Sequence, residues 1–471
     1  MRTGRMWRSL TPMVLILLLA FNASAQKKYE LTAKEAVDFA VKNVTEIKNL
    51  QIDREIQVAM NKEVRGQALP QINGSLSAQH YFSIPTTLLP DFISPSVYNV
   101  LEKEGVQDGS GNPIVQPSGE PALFPAQFGV PWQASAGFTF QQLFFQPDVF
   151  VALQARDVAL RYTEENIKAM EDSVRSNVYR AYYSVLIAEK RKLFIADGVD
   201  RFEKLVKEQE VLYKNGFAEK LDIDRTTVNL NNLRSSMTQI DNLIYVGYAS
   251  LKYSMGLSQA DTLILKDSLS SELVKRDILD TSGFKYEDRN EVKILNTVKE
   301  LQGLDVKRYK LQYFPTLAGF WNFSYQAQRK ELNFFDWNQP WFAANYAGLN
   351  MTIPIFDGLQ RPAKVKQARL NLEKTENTLE NLYRVIDFQR EAAYNQFRNA
   401  VTSLDVQERN LELALKVYNS TKRKYELGLG SSFEVIQTEA SYEEAQANYF
   451  QALYDGVVAK IGYLRSLGRL Q

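Results

Sequence analysis

The chain has 471 residues, with 56 basic and 55 acidic side chains and no cysteine. That balance leaves no net basic surface for nucleic acid, and the missing cysteines exclude disulfides, thiolate metal sites and cysteine-linked lipid anchors. The length suits two or three ordinary domains.

Residues 1–25 read as a secretory signal peptide. Arg2, Arg5 and Arg8 precede an apolar core from Met13 to Phe21, and Ala23-Ser24-Ala25 has the A-x-A form of a cleavage site. The core is too short for a membrane anchor helix. A chain beginning at Gln26 loses three of the 56 basic groups and carries 53 against 55 acids. No later stretch is apolar enough to span a bilayer as a helix, so an exported chain of this kind is periplasmic, secreted or an outer-membrane β-barrel.

Residues 31–68 are polar and helix-permissive, with Val37, Val41, Val44, Ile47 and Ile52 on spaced positions. Pro70 ends that helix, because the residue before a proline disfavours the α region. The apolar period then changes to two. Ile72, Gly74, Leu76, Ala78 and Phe82 alternate with Gln71, Asn73, Ser75, Ser77 and Gln79, which predicts a strand of about ten residues, the length that spans a membrane. Residues 84–131 read as a loop holding eight of the 15 prolines; loops this long are usually functional or disordered. Trp132 to Phe144 is a second strand, with Ala134, Ala136, Phe138 and Phe140 on its apolar side, closed by Pro147.

A helical hairpin follows to about Gly256. Val185, Val199, Val206 and Tyr213 precede Gly216, and Ile223, Leu230, Met237, Ile244 and Leu251 follow it on a seven-residue period. Such a period keeps one stripe of a helix against a neighbour and supercoils the pair. Residues 257–287 are a mixed insert with the apolar run Leu263-Ile264-Leu265, and a helix covers about 289–313. After Pro315 a third strand alternates Leu317, Gly319, Trp321, Phe323 and Tyr325 with mostly polar neighbours; Phe320 interrupts the polar face once. A shorter loop carries Phe334, Phe335, Trp337, Trp341 and Phe342, and a fourth strand runs from about Tyr346 to Ile355. The chain closes with a second hairpin. Phe397, Leu404, Leu411, Tyr418 and Tyr425 form one seam, and Val435, Tyr442, Tyr449, Gly456 and Tyr463 the other, with the break at Gly428-Leu429-Gly430-Ser431-Ser432.

Gly216 to Gly428 and Gly256 to Gly468 are both 212 residues apart. Each half reads helix, strand, loop, strand, helix, helix, which predicts an internal two-fold repeat. The expected domains are a first repeat over 26–256, the insert over 257–287 and a second repeat over 288–471.

One alternating strand is explained more simply by a soluble sandwich. Four of them in a signal-bearing chain, with Tyr81, Phe82, Tyr325, Trp337 and Trp341 gathered at the loop ends as an aromatic girdle, favour a membrane barrel. In lipid a sheet must close, and four strands cannot enclose a lumen. Two chains would give a narrow, filled barrel; three would give twelve strands and room for water. A helix of about 50 residues runs ~75 Å, more than twice the hydrocarbon thickness, so the helices are expected to project away on the side opposite the loops. The predicted class is therefore an α+β membrane protein, four strands per chain in a shared barrel continued by long coiled helices.

Leu69-Pro70-Gln71-Ile72 and Phe314-Pro315-Thr316-Leu317 mark the strand entries. Ile353-Pro354-Ile355-Phe356-Asp357-Gly358 leads into Lys366-Gln367-Ala368, and Gln142-Leu143-Phe144-Phe145 into Gln154-Ala155. The tips carry Tyr213-Lys214-Asn215-Gly216 with Leu221-Asp222-Ile223, and Tyr425-Glu426-Leu427-Gly428 with Phe433-Glu434-Val435. In this order, twice over, these motifs resemble the TolC-like outer-membrane efflux family across essentially all of the mature chain. The resemblance implies a homotrimer with a twelve-stranded barrel in outer-membrane lipid, a long α-helical barrel in the periplasm and an equatorial insert at 257–287. It also implies an exit duct for an inner-membrane transporter of the RND or ABC type, joined through a periplasmic adaptor and serving efflux or type I secretion. It places an acidic ring at the periplasmic aperture on Glu434, with a second family acid replaced by Gln437. It assigns the aperture latch to Asp222 and Tyr425, where a family arginine falls on Gly430, and adaptor docking to tips at Gly216, Leu221, Gly428, Ser431 and Phe433. Helix N-terminal charge accounts equally for Asp222 and as an alternative for Glu434, and seam packing accounts for Tyr425.

An enzyme is not expected, nor any cofactor or metal. His80 is the only histidine and lies in a predicted strand near a loop, and Gly428-Leu429-Gly430 lacks the preceding strand and third glycine of a dinucleotide fingerprint. A periplasmic coiled-coil scaffold would not need the alternating strands, and a stand-alone porin would not need the two long hairpins.

Overall fold

The computed structural model describes residues 27–119, 123–275, 283–336 and 338–470. The signal-peptide segment and Trp337 lie outside the described residues. In chain order the structure runs β1 (Lys28–Leu31), α1 (Ala33–Asn43), α2 (Thr45–Gln67), β2 (Gln71–His80), β3 (Thr86–Pro90), α3 (Ile93–Lys103), β4 (Leu123–Gln127), β5 (Trp132–Phe145), α4 (Pro147–Lys214) and α5 (Lys220–Met255). It continues with β6 (Thr262–Leu265), α6 (Ser271–Lys275), α7 (Asn290–Leu311), β7 (Thr316–Arg329), β8 (Phe342–Thr352), α8 (Gln360–Glu426) and α9 (Ser432–Ser466). Two compact units result: one of residues up to Met60 with Gln154–Val306 and Lys366–Gln471, the other of Asn61–Leu153 with Lys307–Val365. Among the described residues no helix is long and apolar enough to cross a membrane.

The second unit is built on an antiparallel sheet of order β2-β5-β7-β8. Its register keeps the two faces distinct. Ile72 lies opposite Phe140, which lies opposite Trp321, while Asn73 lies opposite Thr139 and that opposite Asn322. Thr139 Oγ1 accepts from Asn322 Nδ2 at 3.0 Å on the polar face. On the other face Phe138 packs against Phe323 at 5.3 Å and edge-on to Trp321 at 5.6 Å. Phe320, which interrupts the polar face of β7, meets Tyr346 of β8 edge-on at 6.2 Å on that same face. β8 begins at Phe342, earlier than the sequence suggests, because Phe342 still pairs with Gln326. β2 and β8 are the edges, and every residue of β2 is exposed.

The stretch 84–131, expected as a loop, contains structure. β3 and β4 pair antiparallel with Leu88 opposite Pro125. A two-stranded ribbon has only edges, so proline costs it little. α3 starts where Asp91 Oδ1 accepts from the amides of Ile93 and Ser94, at 3.1 and 2.8 Å, with Pro95 in the first turn, where its missing N–H is not needed.

In the first unit the expected helix over 31–68 is broken at Val44, which is extended (φ −63°, ψ 133°). The break keeps Ala36, Val37, Val44 and Ile47 in one core with Val178, Tyr182, Leu251 and Met255. α1 opens on a capping box: Glu35 Oε2 accepts from the Thr32 amide at 2.8 Å and Thr32 Oγ1 from the Glu35 amide at 3.3 Å. The insert is tied to the start of the chain, since β6 pairs in parallel with β1, Leu263 opposite Tyr29.

α4 and α8 have 68 and 67 residues, roughly 100 Å each at 1.5 Å per residue and longer than the sequence suggests. Pro147 is the first helical residue of α4 and Pro362 lies in the first turn of α8, positions where proline is accommodated. The seams of the second hairpin are buried at Phe397, Leu404, Tyr418, Val435, Tyr442 and Tyr463 and half-buried at Leu411, Tyr425 and Tyr449, whereas Tyr213 in the first hairpin is exposed. Phe397 stacks on Tyr463 (5.6 Å, 11°) and Tyr418 on Tyr442 (6.1 Å, 7°), so the two seams meet antiparallel. Val435, Tyr418 and Tyr442 form one core with Leu411 and Tyr425 against it.

The hairpin turns use a shared device. At α8 the Leu429 amide donates to Lys424 O and the Gly428 amide to Tyr425 O, both at 2.9 Å, with Gly428 at φ 73°. At α4 the Phe217 amide donates to Leu212 O at 2.8 Å and the Gly216 amide to Tyr213 O at 3.0 Å, with Gly216 at φ 78°. This is the Schellman cap, which needs a left-handed residue after the last helical turn. A Cβ at Gly428 meets nothing within 4 Å, so substitution there is opposed by backbone conformation alone. A left-handed residue bearing a Cβ costs ~1 kcal/mol or more, so Gly428→Ala is expected to speed amide exchange in the last turn of α8 about fivefold. Unchanged exchange at residues 425–429 would contradict the cap.

Candidate functional site at the hairpin tips

The tip of the second hairpin is fixed by its cap. Ser431 is the N-cap of α9, and its Oγ accepts from the Glu434 amide at 3.3 Å. That places Ser432 and Phe433 in the first turn. Ser432 Oγ donates to Asp222 Oδ1 at 2.8 Å, a direct bond from the second hairpin to the first turn of α5. Asp222 in turn anchors its own helix, since Thr226 Oγ1 donates to Asp222 O at 2.8 Å, and the same hydroxyl lies 2.7 Å from Gln209 Oε1. The tips touch again where the Arg225 guanidinium lies 5.6 Å from the Phe433 ring centre.

Tyr425 is half-buried. Burial, then the carboxylates of Glu208 and Asp222, hold its phenol above the ordinary tyrosine range. Asp222 and Tyr425 therefore share one neighbourhood with Ser432, a residue the motifs did not single out. The other tip residues are outward. Leu221 and Phe433 are about half exposed, at 51% and 52%, and Gly216, Gly428 and Ser431 are exposed. Glu434 is exposed as well, in the first turn of α9 and free of ion pairs among the described residues.

Behind the tip lies a cavity of about 130 Å³ lined by Arg201, Leu205, Glu208, Tyr418, Tyr425 and Glu439, among others. Its inner wall is a buried charged cluster. Arg201 of α4 donates through Nε (2.9 Å) and Nη2 (2.6 Å) to Glu439 Oε1 of α9, and Glu439 is 2% exposed. The same guanidinium lies 5.8 Å from the Tyr418 ring centre and 5.6 Å from that of Tyr442. Glu443, one turn along α9, faces the cluster with Oε1 buried and unpartnered, as is Glu439 Oε2. The sequence did carry a signal for these residues. Glu439 and Gln446 lie four residues after Val435 and Tyr442, within the stripe that the seam buries.

Comparison with known proteins fits this architecture. Residues 305–469 match the family described as outer membrane efflux protein. The chain is 18% identical over 343 residues to outer membrane protein TolC of Vibrio cholerae serotype O1, an alignment covering 71% of this chain and 77% of that protein. It is 18% identical over 363 residues to TolC of Salmonella enteritidis, covering 72% and 70%. Among solved structures, CusC, described in terms of transmembrane channel formation, superposes with a TM-score of 0.71 at 14% identity, covering 93% of this chain and 92% of that one. VceC of Vibrio cholerae gives 0.66 at 13% identity, covering 93% and 96%. The C-terminal part of the chain thus matches the outer membrane efflux protein family, and nearly its whole length shares the fold of these solved outer-membrane proteins.

Proposed function

We propose that this chain is the outer-membrane exit duct of a tripartite efflux or type I secretion assembly, built as a homotrimer with twelve strands in a closed barrel. One observation carries the reading: a four-stranded antiparallel sheet with one apolar face and two unpaired edges, β2 and β8. Unpaired backbone groups are untenable in hydrocarbon, so β2 of one copy would pair with β8 of the next until the ring closes. Ile72, Leu76 and Leu349, 69%, 81% and 71% exposed in the single chain, would then face lipid. The row Gln71, Asn73, Ser75, Ser77 and Gln79 would face the lumen, giving a water-filled passage. The two hairpins, read as halves of an internal repeat with the 257–287 segment at their equator, would continue the lumen through the periplasm. There a periplasmic adaptor would dock on Gly216, Leu221, Gly428, Ser431 and Phe433 and connect an inner-membrane transporter.

At the entrance, three copies of Glu434 would form an acidic ring near the axis. Like charges drawn together repel, so other contacts must hold the ring closed. The Ser432–Asp222 bond and the packing of Tyr425 are suited to that task.

Three experiments test the reading. Leu76→Arg places a charge on the lipid face at a cost of roughly 2–4 kcal/mol near the midplane, so it should deplete an SDS-resistant, heat-labile trimer from outer-membrane fractions. Ser75→Arg, on the opposite face, should leave the trimer intact; equal effects of the two would refute the facing. Protease added to intact cells should nick only within 84–131 and 327–342, and cleavage near Gly216 or Gly428 would overturn the topology. In planar bilayers, Tyr425→Phe with Asp222→Ala should raise single-channel conductance, and Glu434→Ala should weaken block by multivalent cations without disturbing assembly. Unchanged conductance would return Tyr425 and Asp222 to packing, and unchanged block would remove Glu434 from the ring.

A further inference from the structure

We infer that Arg201, Glu439 and Glu443 form a second, buried tie between the two hairpins, one that tightens on acidification and, on the channel reading above, favours the closed entrance. Two carboxylates one helical turn apart on α9 face a single guanidinium from α4. Arg201 donates through both Nε and Nη2 to one oxygen of Glu439. Glu439 Oε2 and Glu443 Oε1 are left buried without partners.

Among the described residues, Arg201 is the one cation that acts on Glu443. α4 presents Arg201 and, one turn earlier, Gly198; a Cβ at Gly198 would lie 3.5 Å from Glu443 Oε1 and 3.7 Å from Arg201 Nη2, so this face of α4 passes close to both groups with no side chain of its own. α5 presents Leu233 to the same spot. α8 contributes the Tyr418 ring, and α9 contributes Glu439 and the Tyr442 ring. Lys204, Lys422, Glu208 and Glu426 line the adjoining cavity together with Arg201 and Glu439. Tyr418 is itself held above the ordinary tyrosine range, by burial first and then by the Glu439 charge.

Burial, and then the charge of Glu439, push the Glu443 carboxyl up to about 7, with Arg201 pulling the other way. The sign follows from linkage. A carboxyl whose acidity is weakened in the packed arrangement holds its proton there more tightly than in water, so packing is favoured at low pH. The advantage fades as pH rises from the ordinary value of 4.5 through about 7. Across that window the ratio of packed to parted hairpins falls by up to about tenfold per pH unit. Above it, two buried negative charges face one positive charge, and the net repulsion is relieved only by water entry or by α9 moving from α4. The cavity runs from this cluster to Tyr425, so such a movement would reach the tip contacts directly.

Because the chain has no cysteine, cysteines introduced at exposed Lys207 and Ala440 provide one spin-label pair per chain, read in trimers diluted with unlabelled subunits. The native background should give a single short distance at pH 5.5 and a longer or broader distribution at pH 8. Glu443→Gln, close in shape and uncharged, should hold the short distance at both. Glu439→Gln should move the transition to lower pH, since Glu443 then inherits the guanidinium. A distribution that does not change between pH 5.5 and 8, or a transition of native size in Glu443→Gln, would overturn the tie. Conductance tests the consequence: openings should be several-fold more frequent at pH 8 than at 5.5, and equally frequent in Glu443→Gln. Conductance indifferent to pH while the spin-label distance shifts would overturn the link to the entrance. Failure of the channel reading itself would look different, as trimers that show the distance change and conduct at no pH.

Discussion

The helical unit depends on the seam that joins α8 to α9. An α-helix advances 3.6 residues per turn, so a stripe repeating every seven residues stays against its neighbour only if the two helices wind around each other. Here the stripe is aromatic at its centre. Phe397 lies flat on Tyr463 and Tyr418 flat on Tyr442, each pair adding roughly 0.5–1.5 kcal/mol beyond the area it buries. Flat stacking also demands register, because a shift of one residue turns each ring about 100° away from its partner. The turn sets that register. The Schellman cap at Gly428 and the serine cap at Ser431 allow one way to leave α8 and one way to enter α9. Once the seam is fixed, Ser432 is aimed at Asp222, and Glu439 and Glu443 are carried to the face where Arg201 approaches.

Much of this was legible in the residues because periodicity is a statement about which face is buried. The alternation around Ile72, Phe138 and Trp321 located three strands closely, and the sevenfold seam predicted the buried rings of α8 and α9. The four glycines spaced by 212 residues all prove to be left-handed, after the C-terminal ends of α4, α5, α8 and α9. What escaped was structure whose signal is carried by single local bonds. The β3–β4 ribbon and α3 were hidden among prolines, which mark irregular backbone in general and yet sit without cost at ribbon edges and in first helical turns. The break at Val44 has neither glycine nor proline; it arises because Val44 and Ile47 must reach the same core as Val37. At the tips, the motif positions Asp222 and Tyr425 were visible, but Ser432, the donor that binds Asp222, was not, because a serine beside an N-cap serine looks like ordinary capping sequence.

The charges of the helical unit divide into two populations. Some, like Lys204 with Asp200 and Lys416 with Glu412, are exposed pairs four residues apart that contribute a few tenths of a kcal/mol at most. The Arg201–Glu439 pair differs in kind. Removing a carboxylate from water is costly, and a buried pair of this sort often stabilises less than apolar residues of the same size would. What such a pair supplies is discrimination among arrangements, because any packing that parts the partners leaves a charge stranded in a dry wall. Placed between α4 and α9, it adds a polar tie between the hairpins to the apolar one that Phe202, Leu230 and Leu233 make with Ile436.

The sheet unit solves the inverse problem with the same chain chemistry. Its apolar side chains point away from any core of their own: Leu76 and Leu349 are largely exposed, while the opposite face carries glutamine, asparagine and serine. In water that arrangement would invite aggregation along β2 and β8. It becomes favourable only where the outer solvent is lipid and the inner solvent is water, and only when the edges are paired. The helices read the other way, with their rings inward and their lysines and glutamates outward, as water on the outside requires. The composition of the whole chain, with mean hydropathy of −0.31, averages over these two demands and conceals both. It is the change of period at Pro70 and Pro315, from helical spacing to strict alternation, that records where the surrounding solvent changes.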